Sequence, residues 1–157
     1  VSVSTREGMW MDSIIGRAFA LRSPVAILAD AWTTCGAGTE EVLYEAAALA
    51  IAQELSALNT DSLGSTNGVY PNCSGLENRL FAETVDAVFH MGMTEEQGND
   101  LIRRIFKKYE HTLDNPKLGQ PFNEVYDVKT IEPTPEWQAM YDKVKADLTE
   151  MGIQFRF

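Results

Sequence analysis

The chain has 157 residues, of which 45% are hydrophobic and 23% are charged, the usual mix of one globular domain. Its formal charge of -10 argues against binding to nucleic acid or to an anionic membrane surface, because both need clustered Lys and Arg. No apolar run approaches the ~20 residues that span a bilayer. Two cysteines are too few for a disulfide framework, and without a secretory signal pattern we expect a cytoplasmic protein.

A helix and a strand are the first elements that the pattern predicts. The helix runs from about Arg6 to Leu21 and is capped by Ser4 or Thr5. Its apolar face consists of Met9, Ile14, Ala18 and Leu21. The short apolar run from Val25 to Ala29 has the length of a buried parallel strand.

A polar, glycine-bearing loop from Asp30 to Gly38 follows this strand, and Thr39 is positioned to cap a long alanine-rich helix that begins at Glu40. The three elements form a βα unit. In α/β folds, ligands and catalytic groups lie at the carboxyl ends of parallel strands. The predicted substrate-binding residues are therefore those at the tip of this loop: Asp30, Trp32, Thr33, Thr34 and Cys35.

A second βα unit is predicted after this helix. The segment Asp61 to Gly68 occupies the place of the next short parallel strand, the loop Val69 to Gly75 follows, and a clear helix runs from Leu76 to about Met91. If the two strand ends adjoin, the second loop lines the same site. Its candidate site residues are Asn67, Tyr70 and Glu77, although Glu77 at a helix start is also typical of simple dipole pairing.

The remaining chain is mainly helical. Thr94 and Gln97 form a capping box for a helix to about Leu113, and Pro135 opens a last helix that stops at Gly152. Between these helices, Asp114 to Pro133 is predicted to be an extended strap. We divide the chain into βα units at 1–113 and a strap and helix at 114–157, packed as one domain. Two parallel strands do not make a stable sheet alone, so we expect the missing strands elsewhere.

Three other chemistries are weaker interpretations. The turn Cys35 to Gly38 before a helix resembles a phosphate-binding glycine turn, but it lacks the further glycine of a dinucleotide fingerprint. Cys35 near a helix start is either a reactive thiol or, more often, a small packing residue. Cys73, His90 and His111 lack the spacing of a zinc site, so no metal is predicted.

The segment from Phe122 to Phe155, with Tyr-Asp-Val-Lys-Thr, a following Pro-Thr and a final Leu, Gly and Phe, resembles the tail of the monomethylamine methyltransferases of methanogenic archaea. Weaker similarity runs through Ser4 to Glu7, Cys35 to Gly38 and Ser74 to Val85. The matches are collinear over nearly the whole chain. Together with the start at Val1 rather than at a methionine, they suggest a piece of something longer.

The resemblance implies an α/β fold, the C-terminal portion of a (β/α)8 TIM-type barrel, helix-rich, with two short parallel strands plus closing helices. It also implies methyl transfer from a methylamine to the cob(I)alamin of a separate corrinoid protein that docks over the barrel mouth. The corrinoid is then carried by that partner, and no cofactor is bound directly by this chain. The remainder of the barrel, in the same gene or a companion chain, is the second expected partner, and we expect an oligomer.

In the family, pyrrolysine holds the amine and lies upstream of the matching region, outside this chain. A glutamine near it falls at Trp32 when the loops are aligned without a gap. We therefore also consider a relative that demethylates a different small amine, which Trp32 and Asp30 would hold by cation–π and charge contacts. The main alternative is a non-catalytic module that binds a corrinoid protein or a partner subunit. A thiol enzyme using Cys35 is a third hypothesis.

Overall fold

The computed structural model describes residues 3–157, which are mainly helical. In chain order the elements are α1 (Arg6–Arg22), β1 (Leu28–Ala31), α2 (Glu40–Leu55), β2 (Asn59–Leu63), α3 (Gly75–Met91), α4 (Glu95–Tyr109), a 3-10 turn (Glu110–Thr112), α5 (Phe122–Val125), β3 (Tyr126–Asp127), β4 (Glu132–Pro133) and α6 (Pro135–Glu150). The predicted helix-rich α/β class with two short parallel strands is confirmed. Across residues 3–157, no helix has the length and apolarity that a bilayer crossing needs.

The parallel pair β1 and β2 differs from the predicted strand bounds. Pairing begins where the Asn59 amide donates to the Ile27 carbonyl (2.8 Å), so most of the run Val25 to Ala29 precedes the sheet. At the other end, β2 stops at Leu63 rather than continuing to Gly68. Asp30 therefore belongs to β1 and not to the loop. Hydrogen bonding to the neighbouring strand, rather than the apolar run, decides where each strand lies.

Helix α2 lies at the centre of the molecule. Thirteen of its sixteen residues are buried, so it has no solvent-exposed face. It contacts α1, α3, α4, α6 and both strands of the parallel pair. A helix that is enclosed on all sides needs side chains small enough for close neighbours, and the run Ala46 to Ala48 supplies them.

The strap from residue 114 to 133 crosses the loop between β1 and α2, and it includes α5 and the antiparallel pair β3–β4. The Gly36 amide donates to the Lys117 carbonyl (3.0 Å), and the Gln120 amide donates to the Ala37 carbonyl (2.9 Å). A Cβ at Gly36 would lie 2.1 Å from the Leu118 carbonyl oxygen. The glycine is therefore explained by the close approach of the strap, and it needs no bound phosphate.

The predicted inward face of α1 is largely wrong. Met9 is buried, but Ile14 is 48% exposed and Leu21 is 78% exposed. The exposed large hydrophobic residues on α1 and β1, which we call the open apolar face, are Trp10, Met11, Ile14, Ile15, Phe19, Leu21 and Leu28. Ile15 and Leu28 line one groove between α1 and β1. The described chain leaves this surface uncovered, and a group of large exposed hydrophobic residues in one region is typical of an interaction surface.

The close crossing of α1 over the end of α2 depends on Gly16. A Cβ at this position would lie 2.5 Å from the Ser56 carbonyl oxygen and 2.7 Å from Leu58 Cγ. We expect Gly16→Ala to lower the free energy of unfolding by about 1–3 kcal/mol, because overpacking outweighs the better helix propensity of alanine. Urea denaturation of the 157-residue chain measures this change.

The matched control is Ala20→Gly on the exposed side of the same helix. It exchanges alanine for glycine at a position that is not in contact with the end of α2. We expect the free energy of unfolding to fall by about 1 kcal/mol, from helix propensity alone. A Gly16→Ala chain that is more stable than the unmodified protein would contradict the close approach.

Candidate functional site

The carboxyl ends of β1 and β2 lie side by side, as the two βα units predict. The Gly64 amide donates to the Ala31 carbonyl (2.8 Å), and the Asn67 amide donates to the Thr33 carbonyl (2.7 Å). Asn67 has a positive φ of 51°, which turns the second loop sharply back toward the first. The two predicted site loops therefore form one surface.

A cleft of about 730 Å³ opens at these strand ends. Two of the predicted site residues, Thr34 and Asn67, line it. The other walls come from the start of α1 and from the segment after α4, and their charged residues are Arg6, Glu7, Glu110 and Asp114. Arg6 Nη2 lies 3.7 Å from Glu110 Oε2. Three carboxylates against one guanidinium favour a small cation over an anion as the occupant of this cleft.

Trp32 packs against the second loop. A Cβ at Gly64 would lie 2.5 Å from Trp32 Cδ1, and a Cβ at Gly68 would lie 3.1 Å from the same ring. The side chain remains 44% exposed, so part of the indole is open to solvent beside the strand ends. Tyr70 belongs to the same turn, where it forms an isolated bridge with Thr66, and it is also exposed.

Asp30 faces a different cavity from Thr34 and Asn67. It lines the groove of about 260 Å³ between α1 and β1, together with Asp12 and Ile15. Burial raises the pKa of Asp12. The structure therefore brings Thr34 and Asn67 together in the cleft and places Asp30 at the open edge of the sheet.

Thr33 and Cys35 are buried parts of the loop. The Thr33 hydroxyl donates to the Cys35 carbonyl (2.9 Å), and Cys35 Sγ lies 3.4 Å from Thr112 Oγ1. Burial, followed by the charge of Glu45, raises the pKa of the Cys35 thiol to about 11. A thiol that is protonated at neutral pH and enclosed on this loop is a poor nucleophile, so the geometry favours the packing interpretation of Cys35.

Glu77 is buried at the start of α3, where it closes the helix end. The Ser74 amide and the Ser74 hydroxyl (2.6 Å) both donate to its carboxylate. Trp137 Nε1 donates to the same Ser74 hydroxyl (3.0 Å), which ties α6 to this cap. Burial raises the pKa of Glu77. These contacts give Glu77 a capping role, the simpler of the two interpretations of its position.

One residue that the sequence reasoning passed over is Glu45. It lies in the middle of α2 with no exposed surface and contacts the loop after β1. The sequence did contain a signal for Glu45, because it is a glutamate among the apolar and alanine residues of this helix. An ionisable group is rarely enclosed without partners, so its position predicts specific hydrogen bonds. Among residues 3–157 no group of His, Cys, Asp and Glu side chains is arranged to hold a metal ion.

Proteins of known function that resemble this chain share both its sequence and its fold. The monomethylamine methyltransferase MtmB2 of Methanosarcina acetivorans is 34% identical over 122 residues, which are 76% of this chain and 26% of the relative. The Methanosarcina mazei enzyme MtmB is 33% identical over the same shares. The crystal structure of the Methanosarcina barkeri enzyme MtmB superposes with a TM-score of 0.89 and 25% identity. A structure of its hydroxylamine complex superposes equally well.

The superposition covers 98% of this chain and 34% of the Methanosarcina barkeri chain, so the chain spans about a third of the solved structure it matches. The matched part is the C-terminal region of the relatives. The family model described as monomethylamine methyltransferase MtmB matches residues 1–153. The chain therefore belongs to the monomethylamine methyltransferase MtmB family.

Proposed function

We propose that this chain forms the C-terminal part of a (β/α)8-barrel methyltransferase that moves a methyl group from a methylamine-type substrate to the cob(I)alamin of a separate corrinoid protein. The observation that carries the proposal is the superposition of 98% of the chain on the Methanosarcina barkeri monomethylamine methyltransferase. A near-complete match at a TM-score of 0.89 supports the same use of the strand ends, because barrel enzymes build their sites there.

The open apolar face supports the second half of this proposal, that further strands and helices complete the barrel. A parallel sheet is stable only when both faces are covered and its strands are paired. Here β1 pairs with β2 alone, and the hydrophobic residues of α1 beside it are exposed. The remaining strands lie on the same polypeptide or on a companion chain in this proposal, and they bring the rest of the substrate site.

The cleft offers suitable chemistry for an amine. The carboxylates of Glu7, Glu110 and Asp114 in the cleft attract a methylammonium ion. The exposed indole of Trp32 lies on the loop after β1, outside the residues that line the cleft, and offers a cation–π contact. For methyl transfer to a strong nucleophile such as cob(I)alamin, the nitrogen must be protonated or otherwise activated in a site sheltered from water, so that it leaves as a neutral amine when the C–N bond breaks. The methyl acceptor arrives on its own carrier protein, so the chain itself needs no corrinoid cavity.

The competing proposal is a non-catalytic module that binds a corrinoid protein or a partner subunit. The open apolar face also supports it, because such a surface serves any stable partner. The two proposals differ in one measurable respect. Only the enzyme transfers a methyl group when the assembled protein is supplied with monomethylamine and a corrinoid protein in its cob(I)alamin state.

Replacing Trp32 tests the substrate role of the indole. We expect Trp32→Ala to lower kcat/KM for methyl transfer by about 2- to 30-fold, the range that corresponds to a cation–π contact of about 0.5–2 kcal/mol. Trp32→Phe keeps an aromatic face and is the matched control, with a smaller loss. The rate is followed by the absorbance change of cob(I)alamin on methylation. Equal rates for the alanine variant and the unmodified protein, with unchanged circular dichroism, would remove Trp32 from the site.

The proposal that further strands and helices cover the open apolar face can be tested by measuring how the chain assembles. In native mass spectrometry of material from the source, we expect the 157 residues within a species much larger than the 17.5 kDa of this chain. For the separate chain, we expect 8-anilinonaphthalene-sulfonate fluorescence that Ile15→Glu reduces and that Ala139→Glu on the exposed side of α6 leaves unchanged. A stable, solitary monomer that does not bind the dye would contradict barrel completion.

If Cys35 is a packing residue, its thiol should react slowly with alkylating reagents. Since its thiol is protonated well below pH 11, iodoacetamide at pH 8 should alkylate the partly exposed Cys73 first and leave Cys35 largely unmodified. Peptide mass spectrometry over time gives both rates, and the rate at Cys35 should rise as the pH approaches 11. Faster alkylation of Cys35 than of Cys73 at pH 8 would revive the thiol-enzyme hypothesis.

A further inference from the structure

Glu45 has uncharged hydrogen-bond donors around both oxygens of its carboxylate. Oε2 accepts the Thr34 amide (2.6 Å), and Oε1 accepts the Cys35 amide (2.9 Å) and the Thr34 hydroxyl (2.8 Å). The Ser4 hydroxyl, in the turn before α1, also hydrogen-bonds to Glu45. Burial raises the pKa of this carboxyl, and the four donors oppose the rise because they stabilise its ionised form.

These contacts join separate walls of the cleft. Thr34 lines the cleft from the loop after β1, and Ser4 directly precedes the residues that line it from the start of α1. The carbonyl of Ser4 in turn accepts the Tyr109 hydroxyl (2.8 Å) at the end of α4. The Glu45 side chain therefore joins two of the segments around the cleft, and Ser4 links them to the end of α4.

We infer that Glu45 is a positioning residue, whose buried carboxylate holds the loop after β1 and the turn before α1 in place and so sets the shape of the cleft. The inference rests on the proposed function only in treating the cleft as the substrate site. Glu45 touches no solvent and lines no part of the cleft, so it acts through Thr34 and Ser4 rather than on a ligand.

The geometry requires a carboxylate at this position rather than an amide. Each oxygen accepts a backbone N–H, and a backbone N–H cannot become an acceptor. In Glu45→Gln the side-chain NH2 would face one of these amides in either orientation. Two donors would then oppose each other in a fully buried site, at a cost typical of a lost hydrogen bond to a buried charge. The loop would be released while the shape of α2 stays nearly the same.

The test compares Glu45→Gln with Ala48→Gly, which weakens the same helix one turn further on without touching the loop. Both are made in the 157-residue chain with Cys73→Ser, so that Cys35 is the single thiol. Removing the charge of Glu45 also lowers the pKa of the Cys35 thiol, so the rates are compared per thiolate, with the thiolate fraction taken from the pH profile of each variant. On this basis we expect alkylation of Cys35 to be about tenfold to a hundredfold faster in Glu45→Gln, the range that corresponds to a lost hydrogen bond to a charged group. In Ala48→Gly we expect the alkylation rate of Cys35 to rise only as much as the lower melting temperature of the whole chain explains.

A second readout reports the loop directly. In chains labelled with 5-fluorotryptophan, the fluorine signal of Trp32 should shift or broaden in Glu45→Gln, while that of Trp137 on α6 stays in place. Both readouts are independent of methyl transfer, so they separate a failure of this inference from a failure of the proposed function. Alkylation and Trp32 signals that match those of Ala48→Gly would overturn the positioning role.

Milder variants keep the inference testable if Glu45→Gln does not fold. Thr34→Val removes the hydroxyl donor and keeps the backbone N–H, and Ser4→Ala removes the donor from the turn before α1. We expect each to accelerate Cys35 alkylation by about severalfold, since each deletes one of four donors. The absence of any change in both variants would equally overturn the inference.

Discussion

Helix α2 is covered on every side, and the arrangement of the chain follows from the need to keep it so. Its alanines allow α1, α3, α4 and α6 to approach the helix closely, and the parallel pair lies against it as well. A helix in this position offers no solvent face to its polar side chains. Glu45 and Gln53 therefore depend on partners inside the molecule. The loop after β1 donates to the Glu45 carboxylate, and the Gln53 side-chain NH2 donates to the Asp30 carbonyl of β1 (3.4 Å), while Gln53 Oε1 has no hydrogen-bond partner among the described residues.

The loop after β1 is held by two separate sets of hydrogen bonds. The Glu45 carboxylate on α2 accepts the amides of Thr34 and Cys35, and the strap bonds to the backbone of Gly36 and Ala37. The second loop adds a third contact through the Asn67 amide. Such a loop is unlike the mobile connections that usually surround a binding site, because most of its hydrogen-bonding groups are already used within the protein. The exposed indole of Trp32 emerges from a rigid base.

Local signals predicted the helices well. The capping residues Thr39 and Thr94, and Pro135 in the first turn of α6, mark helix starts in the structure as they do in the sequence, since these signals depend only on near neighbours in the chain. The strands were predicted less well, because β2 consists of mostly polar residues whose conformation is set by pairing with β1. The α1 face was mispredicted for a similar reason. The helical period of apolar residues shows which side of α1 would prefer burial, but it does not show whether another part of this chain packs against that side.

The site could be predicted only in outline. The rule that parallel strands end together was enough to place Thr34 and Asn67 in one cleft. The rule did not show that Asp30 lies outside the cleft, because β1 extends through Asp30 and this residue lines the groove at the sheet edge. It also did not show that Glu77 lies outside the cleft, where its carboxylate is bound by Ser74, three residues before it. Glu45 was missed because the sequence of one helix does not show that its polar residues are enclosed, and burial on all sides is a property of the assembled fold.

The close contact between Gly36 and the strap has an evolutionary consequence. Barrel enzymes commonly acquire new substrates by lengthening the loops at their strand ends. Here an inserted residue near position 36 would have to enter the space already occupied by the Leu118 carbonyl, and even a methyl group does not fit there. Diversification at this loop is therefore confined to exchanging side chains at a fixed length.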